Sequence, residues 1–293
     1  MYDIEAIYEA TSVANAISLL QEHPEAFVIA GGSDLLVKIR EGKLAGCTLV
    51  SIQKLDELRG VSMDEDGTLR IRPLTSFSHV TRDPLIQRYI RVLGEAVDQV
   101  GGPQVRNIGT IGGNVCNGVT SADSGSTLVA WDAVMELTGP EGIRRLPIGE
   151  FYVKAGKVAL KPAELLTAIL IPKESYENCY GHYIKYAMRG AMDIATLGCS
   201  VNVQLSADKK TVERVRIAYG VAGPVPMRAP SAEAAANGKP VSKETIEAAA
   251  NAALSDVNPR TSWRASRELR LQIVQELTRR AFEQAVQLAG GAL

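Results

Sequence analysis

The sequence predicts an α+β protein of two domains, and three observations support this class. The chain has 293 residues, a length for which two domains are a reasonable expectation. Glycine pairs follow apolar, strand-like stretches at Gly31-Gly32 and Gly112-Gly113, as expected for turns at strand ends. After Pro172, three strand-like stretches precede a helical tail, so a small antiparallel sheet with its own helices is expected there.

The first domain is predicted over residues 1–172, with sub-lobes of about 1–60 and 61–172. In the first sub-lobe, apolar residues recur at helical spacing over 11–23, which predicts an amphipathic helix that ends at Pro24. The apolar run 26–30 predicts a short buried strand directly before the first glycine pair. A second strand is expected at 49–52. Together these elements form a compact α/β unit.

The second sub-lobe begins with a predicted hairpin, because strand-like residues flank the turn Asp64-Glu65-Asp66-Gly67. A helical stretch follows from about Asp83 to Val100, and it cannot continue through Gly101-Gly102-Pro103. Beyond the second glycine pair comes an apolar stretch at 128–137. The domain is expected to end where an apolar strand meets the polar stretch 171–174.

The second domain is predicted over residues 173–293. Its three strand candidates are 180–186, 196–205 and 212–221, joined by short turns. Alanine-rich residues 242–255 and the amphipathic stretch 262–289 predict two helices. This domain is therefore expected to be a three-stranded antiparallel sheet with helices.

Composition narrows the classes of function. The formal net charge is −1, so bulk electrostatics imply neither nucleic acid nor an anionic membrane as a partner. No apolar run reaches the roughly 18 residues that a membrane span needs. The first twelve residues lack the basic start and apolar stretch of a secretory signal, so the cytoplasm is the expected location.

The cysteines and histidines predict no metal site on this chain. Cys47, Cys116, Cys179 and Cys199 include no pair at C-x-x-C spacing, and none has a histidine at the distance expected of a zinc ligand. The three histidines are scattered. If the chain moves electrons, the iron–sulfur carrier is expected on a different chain.

The glycine pairs are the strongest functional signal. A glycine turn at a strand end lets backbone N–H groups approach a ligand closely, and two such turns suggest a diphosphate held from two sides. The first motif, Ala30-Gly31-Gly32-Ser33-Asp34, lacks the third glycine of a Rossmann fingerprint, and the chain contains no Walker A loop. Taken alone, this motif is more often a plain turn than a phosphate site.

The second motif shifts the balance toward a dinucleotide. Thr110 and Asn114 offer side-chain hydrogen bonds at either end of Gly112-Gly113, and Asp123 follows nine residues after Asn114. Asp123 can cap a helix or hold a hydroxyl group of a sugar. Arg106, just before the motif, can be explained as a solvated loop charge.

A family resemblance rests on short segments taken in a fixed order along nearly the whole chain. They are Ala30–Leu36, Arg106–Asn114, Thr120–Asp123, Glu164–Leu166, Lys185–Arg189, Asp193–Ala195 and Arg264–Arg270. With these segments the chain resembles the FAD-binding medium subunits of molybdenum hydroxylases, the family of xanthine dehydrogenase and carbon monoxide dehydrogenase. Within that family it is most similar to the separate FAD subunit of bacterial xanthine dehydrogenases.

The resemblance implies a two-lobed FAD-binding domain of the molybdenum hydroxylase type and a set of cofactor-binding residues. By it, residues 28–35 would wrap the FAD diphosphate and residues 110–114 would supply its second side. Asp123 would contact ribityl or ribose hydroxyls, Leu166 would pack near a ring, and Lys185 would lie by the flavin. Without the resemblance, Lys185 would be taken for an exposed charge at a strand edge. The full set is Val28, Ile29, Ala30, Gly31, Gly32, Ser33, Asp34, Leu35, Thr110, Ile111, Gly112, Gly113, Asn114, Asp123, Leu166 and Lys185.

The implied function is electron transfer within a heteromeric complex, with no acid–base catalyst on this chain. Electrons would pass from [2Fe–2S] clusters on a small partner subunit through FAD to NAD or another acceptor. Hydroxylation would take place on a molybdopterin-containing large subunit, with a role in purine metabolism if the substrate is xanthine. Two alternatives stay open: a related hydroxylase acting on an N-heterocycle, an aldehyde or CO, and a non-redox nucleotide-binding scaffold subunit.

Overall fold

The computed structural model describes residues 2–293. The strands of this part of the chain form sheets of three, five and four strands and one two-stranded ribbon. The three-stranded sheet is parallel and the larger sheets are antiparallel. The mixture of helices with mainly antiparallel sheets confirms the α+β class. Every helix within 2–293 is too short or too polar to cross a lipid bilayer.

The N-terminal lobe is a parallel sheet with the strand order β1-β3-β2. Ser12 caps the first helix through its hydroxyl, which accepts from the N–H of Asn15, and the helix buries Ala16, Ile17 and Leu20 against the sheet. The elements are β1 (Ile4–Glu9), α1 (Val13–Glu22), β2 (Phe27–Ile29), α2 (Leu35–Arg40) and β3 (Cys47–Ser51).

The central lobe is a five-stranded antiparallel sheet, in the order β4-β5-β10-β6-β7, covered by short helices. Its elements are β4 (Val61–Met63), β5 (Leu69–Ile71), α3 (Phe77–Arg82), α4 (Pro84–Tyr89), α5 (Arg91–Val97), α6 (Pro103–Ile108), α7 (Ile111–Cys116), α8 (Asp123–Ala130), β6 (Val134–Gly139), β7 (Gly142–Pro147), α9 (Ile148–Phe151), β8 (Tyr152–Lys154), β9 (Lys157–Val158), β10 (Leu165–Ile171) and α10 (Lys173–Tyr176). Helices α5 and α8 pack together in the core of this lobe, where Trp131 and Phe151 are fully buried.

The C-terminal part is a four-stranded antiparallel sheet with three helices on one face. The elements are β11 (Tyr180–Tyr186), β12 (Leu197–Leu205), β13 (Val212–Gly220), β14 (Met227–Arg228), α11 (Pro230–Ala236), α12 (Lys243–Ala252) and α13 (Arg267–Leu288). The long helix α13 buries Ile273, Val274 and Phe282 against the sheet. The predicted antiparallel sheet is confirmed, and β14 adds a fourth, two-residue strand to it.

Several local expectations need correction. The strand predicted at 26–30 exists as β2, but Phe27 and Val28 are exposed because β2 is an edge strand. The stretch before the second glycine pair is the helix α6 and not a strand. The helical stretch 83–100 is two helices, α4 and α5, which meet at Ile90. The division into domains at residue 172 stays a prediction.

Candidate cofactor site

A single cleft contains most of the residues singled out by the sequence. Its volume is about 570 Å³, within the range of small-molecule and cofactor sites. The first glycine motif lines one side, and the segment from Gly109 to Asp123 lines another. Strand β10 contributes Leu165 and Leu166, and the loop after β11 contributes Met192 to Ile194. The cleft thus lies where the N-terminal, central and C-terminal parts of the chain meet.

The first glycine motif presents a run of unused backbone donors. No acceptor within residues 2–293 takes the N–H of Gly31, Gly32, Ser33 or Asp34. Gly32 has a φ of +72°, a conformation that a side chain would strain. This backbone therefore carries hydrogen-bonding capacity that an anion in the cleft could satisfy.

The first glycine motif is in direct contact with the segment that leads into the second. A Cβ added to Gly31 would lie 1.9 Å from the carbonyl oxygen of Ile108, the last residue of α6. Any side chain at position 31 would therefore push the first motif away from the segment that leads into the second. Gly31 is needed for this close backbone approach, which brings residues far apart in sequence to one site.

The second glycine motif is the start of a helix and not a free turn. Thr110 caps α7, and its hydroxyl accepts from the N–H of Gly113 at 3.1 Å. The N–H groups of Ile111 and Gly112 donate to Thr75 and Pro73, and that of Asn114 donates to Thr110. Because these donors are already used, this motif cannot offer a ligand the open backbone that the first one offers.

Asp123 is held by two side chains of the C-terminal sheet. The hydroxyl of Tyr183 donates to Asp123 Oδ1 at 2.7 Å, and Lys185 Nζ donates to Asp123 Oδ2 at 2.9 Å. Tyr183 and Lys185 are two residues apart on β11, so both side chains leave the same face of the strand. Lys185 also donates to the carbonyl of Gln99 at 3.0 Å. Both oxygens of the carboxylate are thereby fixed.

The electrostatics of this cluster reflect its burial. Burial raises the pKa of the Asp123 carboxyl, while the Lys185 ammonium and the hydrogen bond from Tyr183 act in the opposite direction. Burial also raises the pKa of the Tyr183 hydroxyl well above its ordinary value, and the adjacent carboxylate adds to this effect. Tyr183 is therefore a neutral donor over the physiological range. Its hydrogen bond to Asp123 favours the ionised carboxylate.

The structure brings the predicted residues together with two exceptions. Val28 to Leu35, Thr110, Gly112, Gly113, Asn114, Asp123 and Leu166 all line the cleft. Ile111 is fully buried in the central core. Lys185 lies behind Asp123, outside the residues that line the cleft, and it is buried and not an exposed edge charge. The cofactor-binding role of all these residues stays a prediction.

Sequence reasoning missed other residues of the cleft. Lys38 and Asn117 line it and are hydrogen-bonded to each other at 3.0 Å. Glu164, also in the lining, forms an ion pair with Arg144 at 2.7 Å. The spacing of Tyr183 and Lys185 was the signal that could have revealed Tyr183, because alternate residues of a strand share a face.

Comparison with known proteins shows the family to which the chain belongs. The profile of the FAD binding domain in molybdopterin dehydrogenase matches residues 2–174. That of the CO dehydrogenase flavoprotein C-terminal domain matches residues 182–285. The chain belongs to the FAD-binding subunits of the molybdenum hydroxylases. This molybdenum hydroxylase FAD subunit therefore carries both domains of its family.

Individual relatives agree with this assignment. The FAD subunit is 41% identical over 293 residues to the xanthine dehydrogenase FAD-binding subunit of Escherichia coli O157:H7, and the match covers 100% of both chains. It is 30% identical to the carbon monoxide dehydrogenase medium chain of Hydrogenophaga pseudoflava, over 94% of each. A solved structure of carbon monoxide dehydrogenase from that organism superimposes with a TM-score of 0.92, covering 97% of this chain and 98% of that chain.

The residues present fit FAD. The free N–H groups of residues 31–34 suit a diphosphate, and the carboxylate of Asp123 suits hydroxyl donors. Phe77, Val100 and Leu166 give the cleft an apolar surface against which a ring can pack. The molecule therefore offers the polar and apolar groups that a dinucleotide flavin requires.

Proposed function

We propose that this FAD subunit receives electrons from [2Fe–2S] clusters on a small partner subunit and passes them to NAD or another acceptor. Substrate oxidation would take place on a molybdopterin-containing large subunit, and xanthine is the proposed substrate. One observation carries the choice of substrate: the chain is 41% identical over its whole length to a xanthine dehydrogenase FAD-binding subunit, against 30% to a carbon monoxide dehydrogenase medium chain. The cytoplasm is the proposed location.

The chain's own groups would bind and orient the cofactor. The FAD itself supplies the exchange between one-electron and two-electron carriers when it is bound. The N–H groups of residues 31–34 would donate to the diphosphate, and Asp123 would accept from a hydroxyl of the cofactor. Leu166 and Val100 would exclude water from the ring.

Lys185 would set the charge next to the cofactor through Asp123. Its ammonium neutralises the carboxylate that lines the cleft, because the two groups are 2.9 Å apart. An unpaired carboxylate there would repel a reduced flavin, which gains negative charge. The ion pair removes this repulsion and so favours acceptance of electrons.

The test begins with the complex purified through a tag on this chain. Its visible spectrum is recorded, and the flavin released on denaturation is identified as FAD or FMN. The complex is then reduced anaerobically with xanthine and mixed with NAD⁺. We expect released FAD, bleaching of the flavin by xanthine, and recovery of its absorbance with NAD⁺.

Each step has an outcome that contradicts part of the proposal. A complex that releases no flavin on denaturation and takes up no added FAD would favour a scaffold subunit. A flavin that xanthine leaves oxidised, but an N-heterocycle, an aldehyde or CO reduces, would identify a related hydroxylase. A flavin reduced by xanthine but reoxidised only by another acceptor would exclude NAD.

A further inference from the structure

The charges that line the FAD cleft are unevenly distributed. Among residues 2–293, its lining contains one cation, Lys38. The lining also contains four carboxylates: Asp34, Asp123, Glu164 and Asp193. Lys185, Arg144 and Arg189, which pair with the last three, all lie outside the lining. An anionic ligand entering this cleft therefore meets one positive side chain.

Lys38 is held within the cleft by two residues of its lining. Its Nζ lies 2.9 Å from Asp34 Oδ2 and donates to Asn117 Oδ1 at 3.0 Å. Asp34 belongs to the first glycine motif, whereas Asn117 follows α7. The ammonium group thus lies between the first glycine motif and the residue that follows the helix of the second motif.

The ion pair with Asp34 can be exchanged at little cost. The side chains of Lys38 and Asp34 are 43% and 56% exposed, and ion pairs this open to water contribute little to stability. An ammonium bonded to a phosphate oxygen gains a charge-assisted hydrogen bond. The N–H groups of residues 31–34 carry no net charge, so an ammonium group beside them would add a charge attraction to a diphosphate that these donors lack.

We propose that Lys38 binds the diphosphate of FAD, exchanging the carboxylate of Asp34 for a phosphate oxygen while Asn117 keeps the ammonium in place. This inference rests on the proposed FAD site and adds a side-chain cation to its backbone donors. It makes Lys38 a determinant of affinity for dinucleotide flavins over riboflavin, which has no phosphate.

The test measures binding and not turnover. The full-length chain is freed of flavin, and dissociation constants are measured for FAD, ADP and riboflavin at low and high salt. We expect Lys38→Gln to raise the dissociation constants for FAD and ADP by about tenfold and to leave that for riboflavin unchanged. The salt dependence of FAD binding should also become smaller. Lys38→Arg keeps the charge and should retain most of the affinity.

Lys43→Gln is the matched control. Lys43 lies just beyond the same helix, pairs with Glu41 at 2.7 Å and lies outside the cleft lining, so its loss should leave FAD affinity unchanged. Equal FAD affinity in Lys38→Gln and the wild type would overturn the inference. An equal loss for riboflavin would also overturn it, because it would indicate a distorted cleft. A wild-type chain that takes up no FAD would reject the cofactor site itself, and Lys38 with it.

Discussion

Lys185 Nζ lies 2.9 Å from Asp123 Oδ2, and the two side chains are only 7% and 6% exposed. The pair joins β11 of the C-terminal sheet to the first residue of α8 in the central lobe. The same ion pair therefore holds two parts of the chain together and fixes the carboxylate that lines the cofactor cleft.

Lys185→Met should be strongly destabilising. It leaves a buried carboxylate without its counter-ion, and breaking a buried ion pair in this way typically costs about 3–5 kcal/mol. Urea unfolding monitored by tryptophan fluorescence measures the change. Lys54→Met is the control: Lys54 pairs with Glu9 at the surface, and we expect almost no change there. Equal losses in the two variants would contradict this role for Lys185.

Tyr183→Phe should raise the pKa of Asp123. The substitution removes the hydroxyl that donates to Asp123 Oδ1, and this hydrogen bond favours the ionised carboxylate. The measurement is a ¹³C titration of the Asp123 carboxyl in the flavin-free chain. Tyr176→Phe loses a hydroxyl that donates to Gly67 and is not bonded to the Asp123 carboxylate, so it should leave that titration unchanged. An unaltered titration in Tyr183→Phe would show that this hydrogen bond does not affect the pKa of Asp123.

Gly31→Ala should move the first glycine motif away from the segment that leads into the second. The new methyl group would overlap the carbonyl oxygen of Ile108, so the backbone must move, at a cost of about 1–3 kcal/mol or more. We expect lower stability and lower FAD content after purification. Gly149→Ala is the control, because a Cβ there meets no atom within 4 Å. Full FAD content in Gly31→Ala would contradict the need for this contact.

Local signals predicted much of the fold. The hairpin around Asp64 to Gly67 was predictable because its turn residues and its two strands are neighbours in the sequence. The cap of the first helix by Ser12 was predictable because a capping residue lies next to the helix that it caps. The second glycine motif was misread because Gly112-Gly113 also suits the start of a helix. Two contacts favour the helix over the turn. The N–H of Gly113 donates to the hydroxyl of Thr110, and Gly112 packs on Pro73.

The site was harder to predict than the fold, for a physical reason. The sequence singled out Asp123 from its position after the second glycine motif and Lys185 only through the resemblance. Their pairing depends on how two parts of the chain dock. Lys38 resembles any exposed helix charge until Asn117 and Asp34 are seen around it. Long-range contacts of this kind leave no periodic signal in the sequence.

Acid should weaken the fold partly through Glu164. The hydrogen bond from Arg144, at 2.7 Å, holds the pKa of this carboxyl below its ordinary value, and the N–H of Lys161 supports it. A carboxyl whose pKa is lowered on folding stabilises the protein above its unfolded pKa of about 4.3 and loses this contribution as pH falls through the lower folded value. The free energy of unfolding should therefore decline below about pH 4, and less steeply in Glu164→Gln. Urea unfolding from pH 3 to 7 measures this change. Glu141→Gln is the surface control. It should keep the wild-type slope because the pair of Glu141 with Lys161 is open to water. An unchanged slope in Glu164→Gln would show that the Arg144 pair does not contribute to acid stability.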